Sequence, residues 1–479
     1  MSTLLCTLCL FMLLGLAQAR AQLPEQVSRA LKQAGIPESH VGVVVQDIDA
    51  PVPLIAHGEQ RALNPASVMK LVTTLAALDL LGPAHTFQTR VLTEGEIRND
   101  VLDGNLVLQG GGDPSLTLER FWLLLRELRA KGLREIRGEL VVDGGYYSPP
   151  PPDAPFDAYP LRPYNTAPAA LVVNFNVLSL WLGLGNGGVN ARLEPSVTSP
   201  VLVNQLQTGA GACNGWRDQF TPRLEDGRLI LPGRYPVSCG EQGMTLNLLA
   251  PEATAYAYFR PLWRELGGVP PVLVQSRPAR PEAQSLLVFE SAPLSQLVRD
   301  TNKYSNNLMA KMLFLNLGAE RFGPPATQEK GNRAIQAWLR ENALELPELV
   351  LDNGAGLSRS ARISAASLAR LMIWAADRPA YYEFAASLPA AGLEGTQKKR
   401  LDEGSTLTGR AWLKTGTLDN ARSLAGYVLG PDGHRRVLVF LINDPKAAAA
   451  GKAQEALLEW AIKTPYAQLS RPDVPVFKH

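Results

Sequence analysis

Asn64-Pro65-Ala66-Ser67-Val68-Met69-Lys70-Leu71-Val72 opens a stretch that stays apolar to Leu81 and stops at Gly82-Pro83. A polar cap, a proline in the first turn, a run of good helix formers and a Gly-Pro stop predict a helix over 64–81. Because the stretch is apolar nearly all round, the helix is expected at the centre of the fold, buried on every side. Ser67 and Lys70 stand three positions apart at its start, so both side chains leave the same face. A serine hydroxyl is a poor nucleophile until a base takes its proton, and a lysine stripped of water, with its pKa lowered, can be that base. Alone the pattern is weak, since ordinary composition produces S-x-x-K about once or twice in a chain of this length.

Working outward, Val41-Gly-Val-Val-Val-Gln-Asp47 reads as a buried strand, with a second strand returning over 51–56. Near the other end, 410–417, 424–429 and 436–442 read as three consecutive strands, the last two joined by the hairpin signal Pro431-Asp-Gly433. Helical texture covers 291–299, 306–317, 327–342 and 364–376, and an amphipathic helix closes the pattern over 452–462. Together these predict an α+β fold, an antiparallel sheet built from both chain ends with a helical cluster packed on it, over 22–84 and 288–479. Between them, 85–287 changes to short β-like runs such as Leu106-Val-Leu-Gln109, and reads as a large β-rich insertion of one or two domains. Gly110-Gly-Gly-Asp-Pro114 lacks the Lys-Ser/Thr that completes a phosphate loop, so it reads as a tight turn that Asp113 can cap. The prolines of 149–152 read as a stiff connector.

At 479 residues the chain exceeds what one hydrophobic core serves, and several domains are expected. With 47 basic against 45 acidic residues and no long Lys/Arg run, nucleic acid is not an expected partner. The first residues hold an apolar run from Leu4 to Leu16, followed by Ala17-Gln-Ala19 and Ala19-Arg-Ala21. That is the pattern of a secretory signal over 1–21, although no Lys or Arg precedes the run. The run is shorter than the roughly 20 residues a spanning helix needs, and no later stretch approaches that length. A mature chain without a transmembrane segment is therefore expected. Cys6 and Cys9 leave with the signal, and the remaining pair, Cys213 and Cys239, is expected to form a disulfide in an oxidising compartment.

Two further patterns raise the weight of Ser67 and Lys70. Ser305-Asn306-Asn307 stands at the head of a predicted helix and Lys414-Thr415-Gly416 on a predicted strand. S-x-x-K, S-x-N and K-T-G occur together, in this order, in class A β-lactamases and penicillin-binding proteins. The chain more closely resembles the class C low-molecular-mass penicillin-binding proteins, D-alanyl-D-alanine carboxypeptidase/endopeptidases of the penicillin-binding protein 4 type. Pro65-Ala-Ser-Val-Met-Lys70, Gly111-Gly-Asp-Pro-Ser115, Tyr164-Asn-Thr-Ala-Pro168, Tyr304-Ser-Asn-Asn307, Asp352-Asn-Gly-Ala-Gly-Leu-Ser-Arg359 and Lys414-Thr-Gly-Thr417 carry the resemblance across essentially the whole mature chain. Ser67 and Ser305 lie much farther apart than in class A β-lactamases, and the long insertion between them is a mark of this family.

The resemblance implies a penicilloyl-serine-transferase fold and a serine acyl-transfer reaction with no cofactor and no metal. Ser67 would attack the bond between the two terminal D-alanines of a peptidoglycan stem peptide, and Lys70 would accept its proton. Ser305 and Lys414 would return a proton to the leaving amine, while Asn307 would fix Lys70 and bind the substrate amide. The backbone N–H groups of Ser67 and Thr417 would hold the oxyanion, and Thr415, Gly416 and Thr417 would bind the substrate's end. Arg359 would meet a side-chain carboxylate of the stem peptide. No motif for a deacylating glutamate is present, so β-lactams are expected to inhibit by acylating Ser67. A Gram-negative periplasm is the expected location.

Two other readings compete. A β-lactamase on the same fold is disfavoured by the missing deacylation motif and the long insertion. A non-catalytic cell-wall module is expected to lack Ser67, Lys70 or Lys414, and all three are present. The histidines His40, His57, His85, His434 and His479 show no metal-ligand spacing and read as structural or surface residues.

Overall fold

The computed structural model describes residues 22–148, 156–185, 187–401 and 404–465; the secretory-signal reading of 1–21 and the prolines of 149–152 lie outside them. The chain divides into two compact units, one of Met1–His85, Pro293–Leu317 and Gly331–His479, the other of Thr86–Ala292 and Gly318–Lys330.

The first unit is built on a five-stranded antiparallel sheet in the order Ala411–Leu418, Ala421–Leu429, Arg435–Asn443, Val41–Asp47, Ile55–His57. The two chain ends therefore meet in adjacent strands, Val41 opposite Ile442 and Asp47 opposite Arg436. Covering both faces of a sheet replaces alternation with continuous apolar runs, and Val437 to Ile442 are all fully buried. One face carries the terminal helices Glu25–Ala34 and Gly451–Lys463, whose Val27, Leu31, Leu457 and Leu458 pack with Val43, Leu424 and Phe440. The other carries the Ala66–Met69 turn and the helix Ala365–Ala376. At the outer edge, Pro389 to Ala391 run beside the Ala411–Leu418 strand, with Ala391 N donating to Ala411 O at 2.8 Å and Leu413 N to Pro389 O at 2.9 Å. Past Leu413 that strand pairs, among the described residues, only with Ala421–Leu429.

One boundary differs from the sequence reading. The helix expected over 64–81 begins as an α-helix only at Lys70 and runs to Leu81; Ala66–Met69 form a 3-10 turn. The cause lies in Ala66, whose φ of +47° takes the chain out of helical space. The helix is buried through Leu78.

The second unit holds a six-stranded mixed sheet with Val274–Ser276, Leu140–Asp143, Val101–Gly110, Gln88–Arg98 and Gln284–Glu290 in order, and Glu135–Ile136 beside Val101–Gly110. Smaller sheets gather the strands between Leu178 and Leu246. The short β-like texture does not predict two helices found here, Leu118–Ala130 and Pro251–Glu265. Their Phe121, Phe259 and Trp263 share one aromatic core, with Phe259 and Trp263 stacked at 5.4 Å. Cys213 and Cys239 form the disulfide, closing a separation of 26 residues. Asp113 caps the Gly-rich turn by accepting from Ser115 N at 2.8 Å. No helix among the described residues is long and apolar enough to cross a membrane.

Candidate active site

In a 3-10 turn, positions three apart eclipse one another. Ser67 and Lys70 use that geometry, and Lys70 Nζ lies 3.0 Å from Ser67 Oγ. Two more oxygens surround the amine, Asn307 Oδ1 at 2.7 Å and the Ala355 carbonyl at 2.6 Å. Both are amide oxygens and only accept, so a neutral Lys70 spends its two N–H bonds on them and turns its lone pair toward the Ser67 hydroxyl. Lys70 is fully buried. Burial first, then the charges of Lys414 and Lys311, hold its pKa well below the usual lysine range. Ser67 itself is half-buried, open to a substrate.

The turn is held in place by backbone and asparagine contacts. Asn64 Oδ1 accepts from Ala66 N at 2.9 Å, and Asn64 Nδ2 donates to Ser358 O at 2.8 Å. Asn443, at the end of its strand, accepts from Asn64 N at 2.7 Å and donates to Asn64 O at 3.0 Å. The Asp352–Arg359 loop docks on the Lys70–Leu81 helix through Ala355 O and through Gly354 O, which accepts from Thr73 Oγ1 at 2.7 Å. Gly356 allows this approach, because a Cβ there would stand 1.8 Å from Ala66 O.

Ser305 sits between the helices Leu294–Lys303 and Asn307–Phe322 with a φ of +56°, a conformation that costs a non-glycine residue energy and that the surrounding packing must hold. Its hydroxyl accepts from Lys414 Nζ at 2.7 Å, and Lys414 donates also to Thr415 O at 2.7 Å. Lys414 is fully buried and burial lowers its pKa to about 7. Gly416 faces the Ala66–Met69 turn, and a Cβ there would stand 2.6 Å from Pro65 O and 2.9 Å from Ser67 N. Any side chain at 416 would therefore push the strand off Ser67 N–H. Ala411 O and Leu413 N point to the outer edge, so by the two-residue repeat the N–H and C=O of Thr415 and Thr417 face that edge too.

The structure thus gathers Ser67, Lys70, Asn307, Ser305, Lys414 and Gly416 from three distant segments, Lys70 and Asn307 alone lying 237 residues apart in the chain. Arg359 is exposed at the end of the loop that supplies Ala355 O. His40, His57 and His434 make structural bonds to Asp444, Glu38 O and Asp47 at 2.6, 3.1 and 3.0 Å.

Sequence reasoning missed the polar residues that position this centre. Asn302 is fully buried and donates to Thr74 Oγ1 at 3.2 Å and to Ser387 Oγ at 2.9 Å, tying the helix before Ser305 to the helix of Lys70. A signal existed: Leu294, Leu297, Val298, Thr301 and Asn302 form one helical stripe, and its last two members are polar where the period demands apolar residues.

The family model for the D-Ala-D-Ala carboxypeptidase 3 (S13) family matches residues 23–464. The D-alanyl-D-alanine carboxypeptidase of an Actinomadura strain is 28% identical over 444 residues, covering 86% of this chain and 79% of that protein. The D-alanyl-D-alanine carboxypeptidase DacB of Haemophilus influenzae is 26% identical over 417 residues, covering 85% of this chain and 86% of that protein. The crystal structure of penicillin binding protein 4 from the same organism superposes with a TM-score of 0.76 at 25% identity, over 91% of this chain and 99% of that one. With its family matched over nearly the whole length, the chain belongs to the D-Ala-D-Ala carboxypeptidase 3 (S13) family and is a serine peptidase with carboxypeptidase activity.

Proposed function

We propose that this peptidase removes the terminal D-alanine of peptidoglycan stem peptides through an acyl-enzyme on Ser67, cuts D,D-cross-links by the same route, and works in the periplasm. The observation that carries the mechanism is the environment of Lys70, a buried amine with two amide acceptors and the Ser67 hydroxyl 3.0 Å away. Ser67 Oγ attacks the penultimate carbonyl carbon while its proton passes to Lys70 Nζ. The tetrahedral oxyanion lies between the N–H groups of Ser67 and Thr417, donors that cost no reorganisation as charge develops. The C–N bond breaks as Ser305, held by Lys414 at 2.7 Å, gives its hydroxyl proton to the departing amine and is reprotonated by the proton that Lys70 took from Ser67, which leaves Lys70 neutral again. Water then attacks the ester and releases the shortened peptide, regenerating the Ser67 hydroxyl. The terminal carboxylate rests against the Thr415 and Thr417 hydroxyls beside Lys414, with the substrate backbone along the open edge of that strand.

Two features support the wider reading. Ser67 and Lys70 make no bond to a carboxylate among the described residues, which fits slow release of a β-lactam adduct from Ser67. The Cys213–Cys239 disulfide suits an oxidising compartment, in agreement with the export signal read in 1–21. D-Alanine release from a diacylated peptide ending in D-Ala-D-Ala tests the activity: wild-type protein releases it, and Ser67→Ala and Lys70→Ala do not. Undiminished release by either variant refutes the assignment of that residue.

A further inference from the structure

Thr396 belongs to no motif, yet the chain holds it firmly beside the Lys414 strand. After Pro389 to Ala391 have covered that strand as far as Leu413, Glu394 ion-pairs with Lys303, two residues before Ser305, and its other oxygen lies 3.8 Å from Arg299. Burial alone would raise the Glu394 carboxyl, but the bond and charge of Lys303 outweigh it and hold the carboxyl below its usual range. Gly395 follows with a φ of +56°, packed so closely that a Cβ would stand 2.4 Å from Lys303 O. Thr396 is then exposed, and its hydroxyl accepts from Thr415 Oγ1 at 3.3 Å. The segment leaves the strand edge after Leu413 and touches it again through one hydroxyl.

We propose that Thr396 contacts the substrate, its hydroxyl joining those of Thr415 and Thr417 to receive the terminal carboxylate. This rests on the assignment of Thr415 and Thr417 to that carboxylate. The Thr415 proton is spent on a neutral neighbour of the same kind. A carboxylate only accepts, so on entering it takes the Thr415 proton and frees Thr396 to turn its own proton to the same anion. Two charge-assisted bonds replace one neutral bond, and such bonds are roughly twice as strong. The ion pair to Lys303 and the close approach at Gly395 keep Thr396 in register with both Ser305 and Thr415. The group recognised is a free carboxylate one residue beyond the scissile bond, so a substrate whose terminus is an uncharged amide gains nothing from Thr396.

The test compares release of the C-terminal residue from a diacylated L-lysyl-D-alanyl-D-alanine peptide and from its C-terminal carboxamide, using the full chain. Thr396→Val is expected to lower kcat/KM about tenfold on the free carboxylate, mainly through KM, and less than about twofold on the carboxamide. Thr396→Ser is expected to restore the carboxylate preference. Equal loss on both peptides, no loss on either, or failure of serine to rescue overturns the proposal. Thr415→Val separates the two levels. If it too leaves the two peptides undiscriminated, the carboxylate is not held at this edge and both assignments fall. If it discriminates while Thr396→Val does not, only the role of Thr396 falls.

Discussion

Two sites of buried charge, one in each compact unit, are answered in opposite ways. In the inserted unit Glu94 is almost wholly buried, and Arg277 meets it with its two terminal guanidinium nitrogens, at 2.8 and 2.5 Å. Asn105 Nδ2 at 3.0 Å and Arg280 N at 2.9 Å take up its remaining acceptor capacity. The Arg277 bond above all, against the opposing effect of burial, lowers the Glu94 carboxyl to about 2. In the unit that carries Ser67, two fully buried lysines have only neutral oxygens around them, and each is pushed toward its uncharged form. A charge that is fully paired secures the fold; one left unpaired is driven to give up its proton, which is what a base for serine requires.

The largest effect that can break this contrast is on rate. Lys70→Met is expected to cut acylation by about 10²–10⁴ with only a modest fall in melting temperature, because it strands the Asn307 Oδ1 and Ala355 O acceptors but also removes a buried ionisable group. A large loss of stability instead would place Lys70 among the structural residues. Next, Glu94→Ala is expected to cost about 3 kcal/mol of stability, the consequence of stranding a buried partner, with acylation of the folded protein unchanged; chemical denaturation and acylation kinetics measure the two. The same group sets a pH window. Glu94 has a depressed carboxyl, so its contribution is complete above its ordinary value of 4.5 and is lost as pH falls through about 2. Glu94→Gln is expected to flatten that part of the stability profile. The smallest effect concerns Lys311, whose charge helps depress Lys70. Lys311→Gln removes a positive neighbour, so the Lys70 pKa rises and the acid limb of kcat/KM moves to higher pH.

The same contrast governs how much could be read from the chain. The sheet of the first unit was legible because strands buried on both faces write themselves as runs, as in Val437 to Ile442, and because Pro431-Asp-Gly433 marks the hairpin. The three motifs were legible because S-x-x-K, S-x-N and K-T-G are short and local. The contacts that assemble them were not. Ala355 O, the Asn64 and Asn443 pair, and the closeness of Gly416 to Ser67 N depend on segments distant in the chain. The left-handed conformations of Ala66 and Ser305 are imposed by that packing and leave no local mark. In the inserted unit the helices Leu118–Ala130 and Pro251–Glu265 escaped notice for a different reason. In the first, Phe121, Leu124, Leu125 and Leu128 hold the helical period, but Trp122 and the exposed Leu123 add apolar residues off that face; in the second, Pro261 stands inside the helix and argues against one.

The most direct test of the central claim, that Ser67 activated by an uncharged Lys70 forms the acyl-enzyme, is intact-protein mass after incubation with benzylpenicillin. A persistent adduct of one drug molecule on the wild-type chain and none on Ser67→Ala is the predicted result. An adduct that survives the Ser67→Ala substitution, or none on the wild-type chain, contradicts the account; rapid turnover of the drug with no accumulated adduct marks a β-lactamase instead.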